Sequence, residues 1–550
     1  YELLCPRPAV SRFINVYINR PLECPNQLPD VHTRESLAAG EVTMGSGIAV
    51  LWKAPEVNPV TKKARSIPVL NLIDAYGRVF FSWMGFMLSF WAWYTFPPLL
   101  TLTIKRDLSL SAAQVAKSNI VSLSATLFIR FVSGPLCDQF GPRRVYASLM
   151  LLGCLPIGLA PLVKNATGLY TSRFFIGILG ATFVPCRVWC TGFFDKQVVG
   201  TANALAGGWG NAGGGITYFI MPAVFDSLVS RQGMSESEAW RVTFVVPLIC
   251  LITCASGMLL LCPDTPVGSW GERAERTEEN LRNLGLGGDA IVDISSTMTG
   301  RPSDEEKGES SDEDAAAFHQ KRKALEMVKG ETVIKPSFKQ TLPVIFSLQT
   351  LFHVTTYSCS FGGELAVNSI LSSYSMANFP HLDQTKVSNY AAMFGFLNFV
   401  TRPLGGVIAD VLYNKFGRNL WLKKGWVTAC GALTGTLFIV VGRVNPSEQS
   451  GRDIGTMAGL VAVAAIFLEA GNGANFALVP HVHPSANGIL SGLTGGGGNL
   501  GGVVFAVIFR FMDHGTGYDT AFWVIGAIHI TMNLAVCWIP PLPRGQVGGH

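Results

Sequence analysis

Charge is scarce in this chain. Asp, Glu, Lys and Arg make up 14% of its 550 residues, against about 25% in an ordinary soluble domain, while 49% are hydrophobic. That balance excludes a soluble globular protein. No dense basic patch with interleaved aromatics is present, so the net charge of +5 gives no footprint for nucleic acid. The twelve Cys fall mostly inside apolar segments, without metal-ligand or disulfide spacing, and read as small core residues. No apolar segment carries a His/Asp/Glu or Cys/His constellation able to hold a metal or activate a nucleophile, and His353 and His529 stand alone. An enzyme is therefore not expected, and neither is a metal or a cofactor.

What the chain has in abundance is apolar length. Segments of about 20 residues, enough to cross the roughly 30 Å hydrocarbon core of a bilayer as helices, recur after residue 78. Twelve are counted, near 79–102, 112–135, 145–163, 170–193, 199–225 and 241–262, then near 343–373, 387–412, 424–443, 455–479, 486–511 and 519–540. The expected fold is an all-α membrane protein of twelve transmembrane helices in two pseudo-symmetric six-helix halves. Residues 1–78 form an N-terminal cytoplasmic segment, 79–262 the first half, 263–342 a polar insert, 343–540 the second half and 541–550 a tail. Residues 1–43 look unlike the rest of the chain, and Met44 is a candidate start. The insert contains "SDEEKGESSDEDAAAFHQKRK", whose clustered charge suits a solvated linker; Ser303, Ser310 and Ser311 in their acidic surroundings make an acidophilic kinase a candidate partner. Lys53, Lys62, Lys63, Arg65 and Arg78 precede the first span, which favours a cytoplasmic N-terminus and, with an even number of spans, a cytoplasmic C-terminus.

Two glycine-rich stretches demand explanation. "GGWGNAGGG" supplies Gly207, Gly208, Gly210, Gly213 and Gly214, and "GGGGNLGG" supplies Gly495, Gly496, Gly498, Gly501 and Gly502. The first fits a dinucleotide fingerprint, but that fingerprint needs a preceding strand and a βαβ unit, whereas both copies lie within long apolar segments. Small residues on membrane helices let backbones approach closely. Either they pack statically, or they form a smooth surface along which a neighbour shifts. Asn211 and Asn499 occupy equivalent places in the two copies and add amides that packing alone does not need.

The second and eighth spans both spell Arg-x3-Gly-x3-Asp, with Arg130, Gly134 and Asp138 in one and Arg402, Gly406 and Asp410 in the other. Each Arg lies about 12 Å along the helix from its Asp. If the Asp marks the cytoplasmic edge, the Arg sits near the midplane, where a cation costs roughly 2.5 kcal/mol or more and faces a cavity or a partner. A structural ion pair is one reading, yet the remaining spans offer only Glu364 and Glu469. The other reading is a site awaiting an anion.

After the first Asp comes "QFGPRR", with Gly141, Arg143 and Arg144, and after the second, four residues later, "KFGR", with Gly417 and Arg418. "GPLCDQFGPRR" and its looser copy resemble the loop motif of the major facilitator superfamily. "AGGWGNAGGG" and "GLTGGGGNLGG" resemble the paired nitrate signatures of that superfamily's nitrate/nitrite porter branch, over residues 55–540, and the long insert is similar to that of fungal high-affinity nitrate transporters. The resemblance implies that Arg130 and Arg402 clamp the anion, that Tyr357 and Phe361 of "YSCSFG" supply a hydrogen-bond donor and an aromatic wall, that Phe183 of "GATF" is the opposing wall, and that Asn211 joins the anion shell, with Asn499 its counterpart. Read from the residues alone, the three aromatics are ordinary core. Arg187 of "VPCRVWC" departs from the uncharged polar residue usual in the family; it adds a third cation near the pathway or snorkels to the cytoplasmic side.

The resulting expectation is a plasma-membrane importer of nitrate, and of nitrite, driven by protons. Glu364 and Glu469 are its candidate proton carriers. A nitrate/nitrite exchanger and a nitrate sensor signalling through the insert are the alternatives.

Overall fold

The computed structural model describes residues 48–100, 102–195, 198–283, 338–382, 384–417, 419–483, 486–512 and 517–543. The chain divides into two units, Tyr1–Ala49 and Val50–His550; nearly every described residue, and every membrane-length helix, belongs to the second. The insert serines Ser303, Ser310 and Ser311, the leader 1–43 and Arg418 lie outside the described residues.

Among the described residues the regular structure is helical. Ten helices are long and apolar enough to cross a membrane. We label the spans α1 (Trp83–Trp93), α2 (Ala112–Phe140), α3 (Pro142–Leu162), α4 (Ala166–Phe193), α5 (Val199–Gln232) and α6 (Glu236–Leu261). After the insert come α7 (Leu348–Asn378), α8 (Lys386–Lys415), α9 (Leu420–Val444), α10 (Ile454–Val482), α11 (Asn487–Phe511) and α12 (Tyr518–Val536). The two that fall short of the ten, α1 and α7, do so for legible reasons. The first apolar segment is broken where Pro97 and Pro98 remove backbone donors, leaving a short helix at Phe96–Leu100. The 31-residue α7 is long enough but carries a polar face with His353, Thr356, Ser360, Glu364 and Asn368, all buried.

The surface is inverted relative to a soluble protein. Leu155, Leu159, Leu162 and Leu260 are 60 to 82% exposed, whereas Arg130, Arg402, Glu469 and Asn472 are completely buried. Exposed aliphatic residues on long helices face hydrocarbon, and buried ionic groups line the bundle interior.

Both Arg-x3-Gly-x3-Asp copies join the halves in the same way. α2 packs along α11, and α5 along α8. Gly134 makes the first crossing possible, since a Cβ there would come within 2.6 Å of the Gly488 carbonyl, and the Asp138 carboxylate rests on Gly488 at the start of α11. In the second copy, Asp410 accepts from the backbone nitrogen and the hydroxyl of Thr201 at the start of α5, at 2.7 and 2.8 Å, and Gly406 lies against Ala204. Each aspartate thus meets the positive end of a helix from the opposite half. Lys423 of α9 donates to Asp410 at 2.7 Å and is itself buried.

Past each aspartate the chain turns on a glycine with positive φ, Gly141 at 89° and Gly417 at 69°, a conformation that a side chain would strain. Arg143 then donates to the Cys262 carbonyl at 2.7 Å and pairs with Asp264 at 3.7 Å, while Arg144 is exposed. The start of the insert is not a bare linker: Trp270 donates to the Asp138 carbonyl at 2.9 Å, and a helix forms at Arg273–Asn283.

Candidate functional site

Arg130 and Arg402 both lie buried in the interior, Arg130 held by backbone carbonyls and Arg402 by side chains. α4 tightens into a 3₁₀ stretch at Gly177–Thr182. There the Gly180 carbonyl accepts from Arg130 Nε at 2.9 Å. Nη1 donates to the Gly495 carbonyl of α11 at 2.9 Å, and Asn499 Nδ2 donates to the same carbonyl at 3.1 Å. Among the described residues Arg130 Nη2 has no partner, and neither has Asn499 Oδ1.

Arg402 sits where α8 is interrupted, between a helix ending at Leu397 and one starting at Thr401. Pro403 has no N–H for the Phe399 carbonyl, which accepts instead from Trp209 Nε1 of α5 at 3.1 Å. Arg402 Nη2 donates to the Tyr357 oxygen at 2.7 Å, and Nη1 to Asn398 Oδ1 at 3.1 Å. The Asn211 amide, with its oxygen toward α8, accepts from both Arg402 terminal nitrogens. Nε has no partner.

Four rings pack together beside the guanidiniums. Phe183, Tyr357 and Phe361 stack with centroids 5.1 to 6.2 Å apart, and Phe476 of α10 meets Phe183 and Tyr357 edge-on at 4.9 and 5.0 Å. Arg130 lies 5.0 Å from the Phe361 centroid and Arg402 5.5 Å, so both charges lie against one ring. Of the expected shell, Arg130, Arg402, Asn211, Tyr357, Phe183 and Phe361 come together around these rings, and Asn499 joins through Gly495.

Arg402 is not without a counter-ion. Glu364 Oε2 lies 3.4 Å from its Nη1. The same carboxylate accepts from Asn398 Nδ2 at 2.8 Å and Asn472 Nδ2 at 2.7 Å. Glu469 accepts from Asn398 Nδ2 at 3.2 Å and from the Thr401 hydroxyl. Asn398 therefore bridges the two carboxylates one turn from Arg402. The sequence reading missed Asn398, Thr401 and Asn472. A signal was there, because Asn398 stands four residues before Arg402 and Asn472 three after Glu469, spacings that share a helix face.

The glycine copies are close-packed against side chains. Cβ atoms would strike the Phe86 ring at Gly210, the Met87 carbonyl at Gly213 and the Ser358 carbonyl at Gly501. They would come within 2.5 Å of the Asn398 carbonyl at Gly208, 2.5 Å of Phe131 at Gly496 and 2.7 Å of Phe361 at Gly498. Gly214, Gly495 and Gly502 would meet contacts of 3.2 Å or more. At Gly207 the obstacle is Arg187, which is buried and does not snorkel. Its guanidinium lies 4.9 Å from Phe183 and 4.8 Å from Phe476. Elsewhere, His353 Nδ1 faces Asn475 Oδ1 at 2.8 Å, and among the described residues no His/Cys/Asp/Glu group could hold a metal.

A sequence model of the Major Facilitator Superfamily matches residues 82–442. The proton:xylose symporter XylE, bound to 6-bromo-6-deoxy-D-glucose, has a TM-score of 0.55 at 13% identity over 83% of this chain and 94% of its own, a likeness of fold. Elsinochrome transporter 1 of Elsinoe fawcettii is 32% identical over 518 residues, covering 90% of this chain and 99% of that protein. High affinity nitrate transporter 2.5 of Arabidopsis thaliana is 29% identical over 478 residues, 87% and 82% of the two chains. Nitrate/nitrite transporter NrtP of Nostoc punctiforme is 27% identical over 470 residues, 82% and 90%. The chain belongs to the Major Facilitator Superfamily, in its nitrate/nitrite porter branch. It is a multi-pass membrane transporter and not an enzyme.

Proposed function

We propose that this protein imports nitrate, and nitrite with it, together with protons, by alternating access across the plasma membrane, with both termini and the insert cytoplasmic. The end of the bundle bearing Asp138 and Asp410 is then its cytoplasmic face. One observation carries the reading: two fully buried guanidiniums, one from each half, lie against a single aromatic ring, and each keeps a nitrogen without a partner among the described residues. Nitrate is a planar, weakly hydrated oxyanion, and guanidinium is a planar fork of donors that stays charged. The nitrate transporters among the relatives support the same substrate.

The two arginines beside the Phe361 ring repel each other, by about 2 kcal/mol at roughly 8 Å and an effective dielectric near 20. An anion between them relieves that repulsion and draws the halves together. Import of an anion into a negative cell is uphill by about 2.3 kcal/mol per charge per 100 mV, so a second ion must drive it. Glu364 supplies a means of coupling. Ionised, it holds Arg402 Nη1; protonated, it releases that donor to the anion. Glu469, bridged to it through Asn398, passes or stores the proton.

Uptake of labelled nitrate into a host lacking its own nitrate transporters tests the proposal. Saturable uptake that rises as the medium is acidified, and that nitrite inhibits, is expected; uptake indistinguishable from empty host cells contradicts it. The 32% identity to Elsinochrome transporter 1 favours a second reading, in which the same interior carries a substrate of that kind. Elsinochrome transport without nitrate uptake in the same cells would establish it.

A further inference from the structure

Arg187 takes no part in the proton-coupled scheme, yet its surroundings are those of a ligand-binding group. The residue is 1% exposed, and among the described residues its Nε, Nη1 and Nη2 have no hydrogen-bond partner. A guanidinium has five donors and cannot shed its charge, so an unmet one inside a membrane bundle is among the costliest groups the interior can hold. Arg402 has Glu364 beside it and Arg130 donates to two carbonyls. Arg187 has ring faces instead, Phe183 at 4.9 Å and Phe476 at 4.8 Å. The rings cover the charge without offering an acceptor, so its N–H groups are left for an anionic ligand.

Three helices agree on its depth. In α4, Arg187 lies one turn nearer the cytoplasmic end than Phe183, the ring it shares with Arg130. In α5, Gly207, on which its guanidinium rests, lies one turn nearer that end than Asn211, the partner of Arg402. In α10, Phe476 lies two turns beyond Glu469 in the same direction. Arg187 therefore sits about one helical turn, roughly 5 Å, to the cytoplasmic side of the Arg130–Arg402 pair and away from both carboxylates. Its cover is shared between the halves, since Phe183 and Gly207 belong to the first and Phe476 to the second. Separation of the halves at the cytoplasmic end would lift Phe476 away and uncover it on the anion's path.

We propose that Arg187 is a second anion station, which takes nitrate or another small planar oxyanion from the two-arginine pair as the inward-facing state opens. The proposal rests on the reading of the protein as a nitrate transporter. The first station contains a carboxylate that competes for Arg402; the second contains none, so the anion moves inward to an unopposed charge and leaves from there.

The test compares half-saturating nitrate on the two faces, outside in whole cells and inside in excised inside-out patches, for the unaltered protein, Arg187→Ser and Arg187→Lys. Arg187→Gln runs alongside in case serine keeps the protein from the membrane. For Arg187→Ser and Arg187→Gln we expect external half-saturation within about twofold of the unaltered value and a cytoplasmic value raised about tenfold or more. Arg187→Lys falls between, because it keeps the charge and loses the planar fork. Equal shifts on both faces would overturn the station and make Arg187 a remote contributor to the first site, and no shift on either face would make it structural. An unaltered protein that responds to nitrate on neither face would overturn the transport reading itself, and this one with it.

Discussion

The proposed clamp asks of Arg130 and Arg402 what only a planar, permanently charged fork supplies, and the first prediction belongs to them. Arg130→Lys and Arg402→Lys retain charge but lose the two-donor edge, a difference of about 1.5 to 3 kcal/mol for a charge-assisted hydrogen bond. Half-saturating nitrate in an uptake assay should rise about ten- to hundredfold in each, with membrane abundance unchanged. Glu364→Gln removes the group whose proton releases Arg402 Nη1. Uptake by the unaltered protein should be high in acid and fall as external pH rises; in Glu364→Gln it should be flat with pH while nitrate exchange persists, and an unchanged pH profile would rule the residue out as carrier. At this scale the sequence was informative where charge is scarce, because an arginine in an apolar segment announces itself. It was silent on Phe476 and Asn398, since a phenylalanine and an asparagine in a span are ordinary until the helices around them are placed. Arg187 was visible as an oddity, but its depth and its missing partners emerge only from the packing of α4 against α5 and α10.

Among the elements, α5 and α11 carry the glycines, and each accepts a ring from the first helix of its own half: Phe86 of α1 against Gly210, Phe361 of α7 against Gly498. We predict that Gly210→Leu and Gly498→Leu abolish uptake while surface labelling shows the protein still in the membrane; normal uptake would refute a sliding role for these faces. The end of α8 is a second place where one side chain holds two elements. Asp410→Asn leaves Lys423 buried without its counter-ion and weakens the hold on Thr201 at the start of α5. Breaking a buried pair costs about 3 to 5 kcal/mol, so the melting temperature of the purified protein should fall by several degrees. Helix number was legible from apolar length, and the expected spans agree with the observed helices to within several residues at most ends. The breaks were not. Those in α1 and α8 arise from Pro97, Pro98 and Pro403, yet proline in a membrane helix is tolerated when neighbours re-satisfy the freed backbone, as Trp209 does for Phe399. Only the fold shows which prolines have such a neighbour.

In the molecule as a whole, the two halves repeat a design and then depart from it. Asp138 of α2, against α11, matches Asp410 of α8, against α5, while Gly141 matches Gly417 and Arg130 matches Arg402. Both carboxylates of the interior, however, belong to the second half, and the third guanidinium belongs to the first. In the proposed cycle the symmetric pair of arginines holds the anion, while the asymmetric groups give direction, protons entering through Glu364 and Glu469 and the anion leaving past Arg187. The duplication was readable in the sequence because the Arg-x3-Gly-x3-Asp spacing and a glycine-rich stretch recur in both halves; the asymmetry became meaningful once Glu364 was found beside Arg402 and not beside Arg130. The most direct test is the nitrate-evoked current of a voltage-clamped cell expressing the full chain, with external pH stepped from alkaline to acidic and Arg130→Lys and Arg402→Lys measured alongside. Cotransport of one nitrate with more than one proton predicts an inward current that grows with acidity and collapses in both variants. No current in the unaltered protein, with counterflow of labelled nitrate against nitrite, would contradict proton-driven import and make the protein an exchanger; silence in both assays would contradict transport of nitrate altogether.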